Sequence, residues 1–109
     1  MLWKCSVCGY THAGREAPEK CPKCRAPKES FSLLSEFSAK KITDTERTND
    51  IHSEIIKLTT QIRELAEEGI EINLDPPCVD LFHKAYAEAG IIKQRSKAEI
   101  AVHVSISKW

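Results

Sequence analysis

Cys5-x-x-Cys8 and, after twelve intervening residues, Cys21-x-x-Cys24 are the residues of this chain whose type and spacing point to chemistry. Two residues between cysteines let the backbone fold back as a tight knuckle, with N–H groups just after the first cysteine aimed at the sulfurs. Gly9 follows the first pair, where a positive φ closes such a turn cheaply, and Pro22 stiffens the second. Two close pairs of soft thiolates can surround one ion tetrahedrally, the geometry shared by zinc and iron sites. The chain shows no apolar run of the secretory type after Met1 and no apolar stretch long enough to span a bilayer, which points to the cytoplasm. There thiols stay reduced, and paired cysteines signal metal rather than disulfides. Cys5, Cys8, Cys21 and Cys24 are therefore the expected metal ligands. No catalytic residue and no organic cofactor site stands out.

The elements that must position these cysteines divide the chain. Residues 1–35 are rich in Cys, Pro, Gly and Lys and lack a helical period, so short strands and turns around the metal are expected. A segment this small cannot bury a stabilising core and needs a staple. Residues 36–109 form the second expected domain, a helical hairpin. Ser35 to Lys41 reads as a polar connector. Thr43, with Glu46 three residues on, reads as an N-cap and capping box. Ile51, Ile55, Leu58, Ile62 and Leu65 follow in steps of 4, 3, 4 and 3, a narrow helical stripe. Gly69 suggests a helix end near Glu68, and Ile70, Ile72 and Leu74 a short extended piece. Asp75-Pro76-Pro77 opens a second helix, with Val79, Phe82, Tyr86 and Ala89 as its apolar face. Gly90 is a candidate interruption. Val102, Val104 and Ile106 fit either a strand or more helix.

Charge narrows the range of partners. The 16 basic and 16 acidic residues balance, which argues against a general nucleic-acid binder. Residues 1–35 carry six Lys/Arg against three Asp/Glu, and residues 36–109 ten against thirteen. Lys20, Lys23, Arg25 and Lys28 surround the second knuckle and suit an acidic protein partner steered by charge.

The segments Trp3-Lys4-Cys5-Ser6-Val7-Cys8-Gly9-Tyr10, Ala17-Pro18-Glu19-Lys20-Cys21-Pro22-Lys23-Cys24 and Ala26-Pro27-Lys28-Glu29-Ser30-Phe31 resemble the rubredoxin-like domain of rubrerythrins. The resemblance covers about the first third of the chain. It implies a mononuclear iron on Cys5, Cys8, Cys21 and Cys24 that passes one electron, with Trp3, Tyr10 and Phe31 packed beside it. Arg25 departs from the pattern, standing where many rubredoxins have glycine, so an altered second knuckle is expected. A zinc ribbon uses the same ligands, and the ligand set alone does not choose between the metals.

The fold class expected is α+β, a rubredoxin-like knuckle followed by an α-helical hairpin. The function expected is that of an iron-binding electron carrier rather than a catalyst, with a redox protein as partner; the alternative is a structural zinc-ribbon-type interaction protein. No phosphate loop, nucleotide fingerprint or hydrolytic triad signature is present. Rubrerythrins pair this domain with a di-iron bundle, but no Glu-x-x-His occurs here. Asp80-x-x-His83 has the spacing, and polar or capping roles are the better reading. Cys78, in the first turn of the second helix, reads as a small apolar group or, less simply, as a reactive thiolate. The stripe from Ile51 to Leu65 packs either on its own chain's second helix or on a second copy, and the small core of two helices favours a homodimer.

Overall fold

The computed structural model describes residues 1–109. Three short strands, β1 (Leu2–Cys5), β2 (Thr11–Ala13) and β3 (Phe31–Leu33), are followed by two helices, α1 (Glu36–Ile72) and α2 (Pro76–Ser105). The fold is α+β, as the sequence implies. The chain divides into two compact units, Met1–Asp44 and Thr45–Trp109, with the boundary inside α1.

In the first unit the sheet order is β2-β1-β3, all antiparallel. Trp3 pairs with His12 on one side and Leu33 on the other, while Cys5 pairs with Phe31. This register brings the first knuckle, which leaves the end of β1, beside the aromatic ring of Phe31. The buried core is Cys5, Ala17, Cys21 and Phe31, with Trp3, Tyr10 and Ala26 packed on it. Two of its four members are cysteines, so apolar burial alone is too little to hold the unit.

Helix α1 begins earlier than the capping-box reading places it. Ser35 is the cap: its Oγ accepts from the Ser38 N–H at 3.1 Å. The Thr43 hydroxyl instead turns back to the carbonyls of Ala39 and Lys40, a common mid-helix role for threonine. The polar segment 36–41 is thus helical, and Lys41 lies over the Phe37 ring at 5.6 Å.

Gly69 does not end the helix. It lies in the helix interior against Phe82, and the left-handed residue that follows the last turn is Asn73, at φ 51°. The Asn73 N–H bonds the Gly69 carbonyl at 3.2 Å. The expected extended piece 70–74 is therefore helix as far as Ile72, then a short loop. Asp75 caps α2 as its sequence signals, accepting from the Cys78 N–H at 2.9 Å. Gly90 leaves α2 unbroken, and the alternating tail is helical to Ser105, where the left-handed Ser107 closes it. No helix is long and apolar enough to cross a membrane.

The helical unit zips along positions spaced by threes and fours. Thr59, Ala66 and Gly69 of α1 and Ala89 and Ser96 of α2 are buried, and Arg63 lies over the Tyr86 ring at 4.0 Å. At the far end His103 Nδ1 donates to Asn49 Oδ1 at 2.5 Å, and Asn49 Nδ2 and Thr45 Oγ1 donate to the Lys108 carbonyl. Val79, Phe82, Tyr86 and Ala89 do form the packed face of α2. The α1 stripe does not pack on it. Ile51, Leu58, Ile62 and Leu65 stay exposed because the seam runs one residue further along each turn.

Candidate metal centre

Each pair of cysteines sits on a turn whose backbone is dictated by the need to wrap one sulfur under another. In the first knuckle the Gly9 N–H bonds the Cys5 carbonyl at 2.9 Å, and Cys5 N–H bonds the Tyr10 carbonyl. The second repeats it: Arg25 N–H to the Cys21 carbonyl at 2.9 Å, and Cys21 N–H to Ala26 at 2.8 Å. Gly9 and Arg25 occupy matching left-handed positions, with φ of 79° and 64°. Arg25 therefore leaves the second knuckle unaltered, contrary to expectation. It adopts the glycine conformation at a cost of about 1 kcal/mol.

The four sulfurs converge. Their atoms all lie within 4.8 Å of one another. Cys5 and Cys24 are 3.7 Å apart and Cys8 and Cys21 3.6 Å. A tetrahedral ion with metal–sulfur bonds of about 2.3 Å separates its sulfurs by about 3.8 Å. These distances suit such an ion, whereas a disulfide needs contact near 2.0 Å. All four are free thiols. Cys5 and Cys21 are buried, and Cys8 and Cys24 are partly open. The donor set fits one soft or borderline cation.

The electrostatics are those of a site built for thiolates. At Cys21 burial pushes the thiol up, but the N–H groups of Cys24 and Lys23 and the sulfurs of Cys8 and Cys24 outweigh it, bringing the pKa down to about 7. Cys5 is lowered in the same way, burial being outweighed by the N–H groups of Cys8 and Val7 and by its sulfur neighbours. At Cys24 the Ala26 N–H pulls down, yet burial and the other three sulfurs push the thiol up to about 12. Without a cation, four sulfurs this close cannot all ionise. The N–H donors after each first cysteine belong to the site as much as the sulfurs do. The spacing of the pairs announces them only as a class.

Trp3, Tyr10 and Phe31 pack around the cysteines, and Trp3 Nε1 donates to the Gly14 carbonyl at 3.1 Å. Of the basic cluster, Lys20, Lys23 and Arg25 are exposed. Lys28 is partly neutralised, its Nζ lying 3.6 Å from Glu16 and 3.5 Å from Glu19.

Other candidates separate from this centre. Asp80 is held by Lys84 at 2.8 Å rather than by His83, in keeping with a surface role. The Cys78 thiol is pushed up rather than down. Its hydrogen bond to the Asp75 side chain, with burial and the Asp75 charge added, raises the thiol above its ordinary value. The carboxylate that caps α2 thus overrides the helix dipole.

Residues 3–32 match the family model described as "Rubrerythrin, rubredoxin-like domain". The rubrerythrin of Nitratidesulfovibrio vulgaris is 56% identical over 32 residues, 29% of this chain and 17% of that protein. The putative rubrerythrin of Methanocaldococcus jannaschii is 47% identical over 34 residues, 31% of this chain and 17% of that one. Reverse rubrerythrin-1 of Clostridium acetobutylicum is 59% identical over 29 residues, 27% and 16%. The similarity is confined to the N-terminal segment, and the chain covers less than a fifth of each of these relatives. No solved structure matches the chain.

Proposed function

We propose that this protein is an electron carrier whose rubredoxin-like centre holds one iron on Cys5, Cys8, Cys21 and Cys24, with the helical hairpin as a dimerisation element. The observation that carries the reading is the convergence of four sulfurs at tetrahedral spacing within the segment that matches the rubrerythrin rubredoxin-like domain. Iron bound there supplies a one-electron couple. The chain's own residues set its surroundings. Trp3, Tyr10 and Phe31 exclude water from the inner side, and the knuckle N–H groups compensate thiolate charge.

Cys8 and Cys24 mark the open edge, beside the exposed apolar Val7 and the exposed charges Lys23 and Arg25. That combination suits brief docking of an acidic redox protein in the cytoplasm. Electron exchange with such a partner is expected to slow as ionic strength rises, because exposed charges are screened over about 8 Å at physiological salt. Stopped-flow rates across a salt series check this, and a flat profile refutes the docking mode.

The visible spectrum of protein expressed in iron-replete medium tests the metal. A red ferric–thiolate chromophore that bleaches on one-electron reduction is expected. Colourless protein with stoichiometric zinc supports instead a structural knuckle, for which the same donor set is equally suited.

A further inference from the structure

The helical hairpin has two unlike faces, and the difference identifies its partner and the partner's orientation. The seam joining α1 to α2 includes Asn49, Thr59, Arg63 and Ala66 on α1 and Phe82, Tyr86, Ala89, Ser96 and His103 on α2. One residue along a helix turns the side chain by about 100°. An approximate two-fold axis normal to the hairpin relates its antiparallel helices, so equal offsets from the seam fall on the same face. The residues that follow the seam positions, among them Ser53, Thr60, Glu64, Glu67, His83 and Lys97, are mostly polar. The face on the other side of the seam carries most of the large apolar residues, Ile51, Leu58, Ile62 and Leu65 on α1 and Leu81, Ile92 and Val102 on α2. All are exposed, Leu65 by 65% and Leu81 by 61%. An isolated hairpin does not gather this many large exposed apolar side chains on one face without a partner.

Four charged residues of α2 share this face: Glu88 and Arg95 near its middle, and Lys84 and Glu99 further out, Lys84 being paired with Asp80. Glu88 and Arg95 select the occupant. Arg63 beside Tyr86 and Gly90, with Asn49 bonded to His103, sets Thr60 level with the region of Ile92. A two-fold axis crossing the hairpin at that level, perpendicular to its helices, lays a second copy face to face, with its loop at the opposite end. It places Leu58 against Ile62 of the second copy, Ile55 against Leu65, Leu81 against Val102 and Ile92 against itself. Glu88 then meets Arg95 of the second copy, twice. The other two-fold, parallel to the helices, puts Arg95 near Ile55 and Glu88 near Ile62, leaving both charges buried and unpaired. Glu54 and Glu68 approach each other at the rim in the favoured arrangement, but exposed like charges there are screened.

We infer that the hairpin is half of an antiparallel four-helix bundle, α1 on α1 and α2 on α2, held in register by reciprocal Glu88–Arg95 pairs across the two-fold. This rests on the reading of the hairpin as a dimerisation element and adds its face, direction and register.

Sedimentation equilibrium of the full metal-loaded chain is expected to give a dimer; a monomer overturns both this arrangement and dimerisation itself. Glu88→Arg and Arg95→Glu, each alone, are expected to raise the dimer Kd roughly tenfold or more, and the double exchange to restore it to within about threefold. Helix content by circular dichroism verifies that each variant folds. Single exchanges that leave Kd unchanged, or a double exchange that restores nothing, overturn the pairing. In a Cys78→Ser background, Ile92→Cys is expected to form an intermolecular disulfide on mild oxidation, and Lys97→Cys on the polar face is not. A dimer that fails to link through position 92 overturns the orientation while leaving dimerisation standing.

Discussion

Removing the metal is expected to unfold the N-terminal unit and leave the helical unit standing. Structural metal sites on thiolates stabilise small domains by on the order of 10 kcal/mol. Nothing else in residues 1–44 approaches that. Its sheet has three strands of four residues or fewer, and apart from Cys5 and Cys21 its buried core is Ala17 and Phe31. Chelation, or Cys21→Ser, should therefore abolish the slowly exchanging amides of β1 and shift the Trp3 fluorescence. Far-UV circular dichroism should change little, because α1 and α2 hold 37 and 30 residues. Global loss of helix on chelation would contradict the division into two units.

The same experiment carries a pH dependence with a defined sign. The loaded site needs four thiolates, while the metal-free site keeps a proton on Cys24, whose pKa is about 12, and holds Cys21 near half-ionised at a pKa of about 7. Loading thus expels protons, and acid opposes it. Apparent affinity is expected to fall as pH falls below neutral, and a weakly buffered titration to release protons on metal addition.

The second large effect lies in the helical seam. Gly69→Ala is expected to destabilise the hairpin by about 1–3 kcal/mol, lowering its melting midpoint by on the order of 10 °C. A Cβ at Gly69 would stand 2.4 Å from Phe82 Cδ2, inside any tolerable contact, and a ring wedged in a helix crossing has little room to retreat. Gly90→Ala is the matched control. Its Cβ would meet only the flexible end of Arg63, at 3.3 Å, and alanine is the better helix former by about 0.5–1 kcal/mol. Thermal melts of the two variants should move in opposite directions. Shortening the ring with Phe82→Leu in the Gly69→Ala background should recover part of the loss. If the Gly69→Ala melt matches the parent, close packing at that crossing is wrong.

Gly69 also shows where reading the chain by itself goes astray. A glycine after an apolar stripe resembles a helix end, because the same residue serves a left-handed cap and a close helix approach. Which role applies depends on Phe82, thirteen positions away in sequence. Ser35 and Thr43 form a similar pair of rivals: both are acceptable caps, and the competition is settled by which hydroxyl finds a free N–H and which turns back to a carbonyl.

The sequence by itself announced the four cysteines that the fold brings together and the aromatic residues packed around them. A short-range device such as a Cys-x-x-Cys knuckle carries its geometry within a few residues, and its close neighbours are written next to it. It also announced two helices, their stripe and the Asp75 cap, all of them local signals. Only the tertiary structure decided which helix face joins the hairpin and which is left exposed. The two candidate faces on α1 differ by one residue of phase, and the buried one is made of Asn49, Thr59, Ala66 and Gly69 rather than the large apolar residues. Small side chains let two helices of one chain approach closely. The isoleucines and leucines, too bulky for that seam, remain to cover something else.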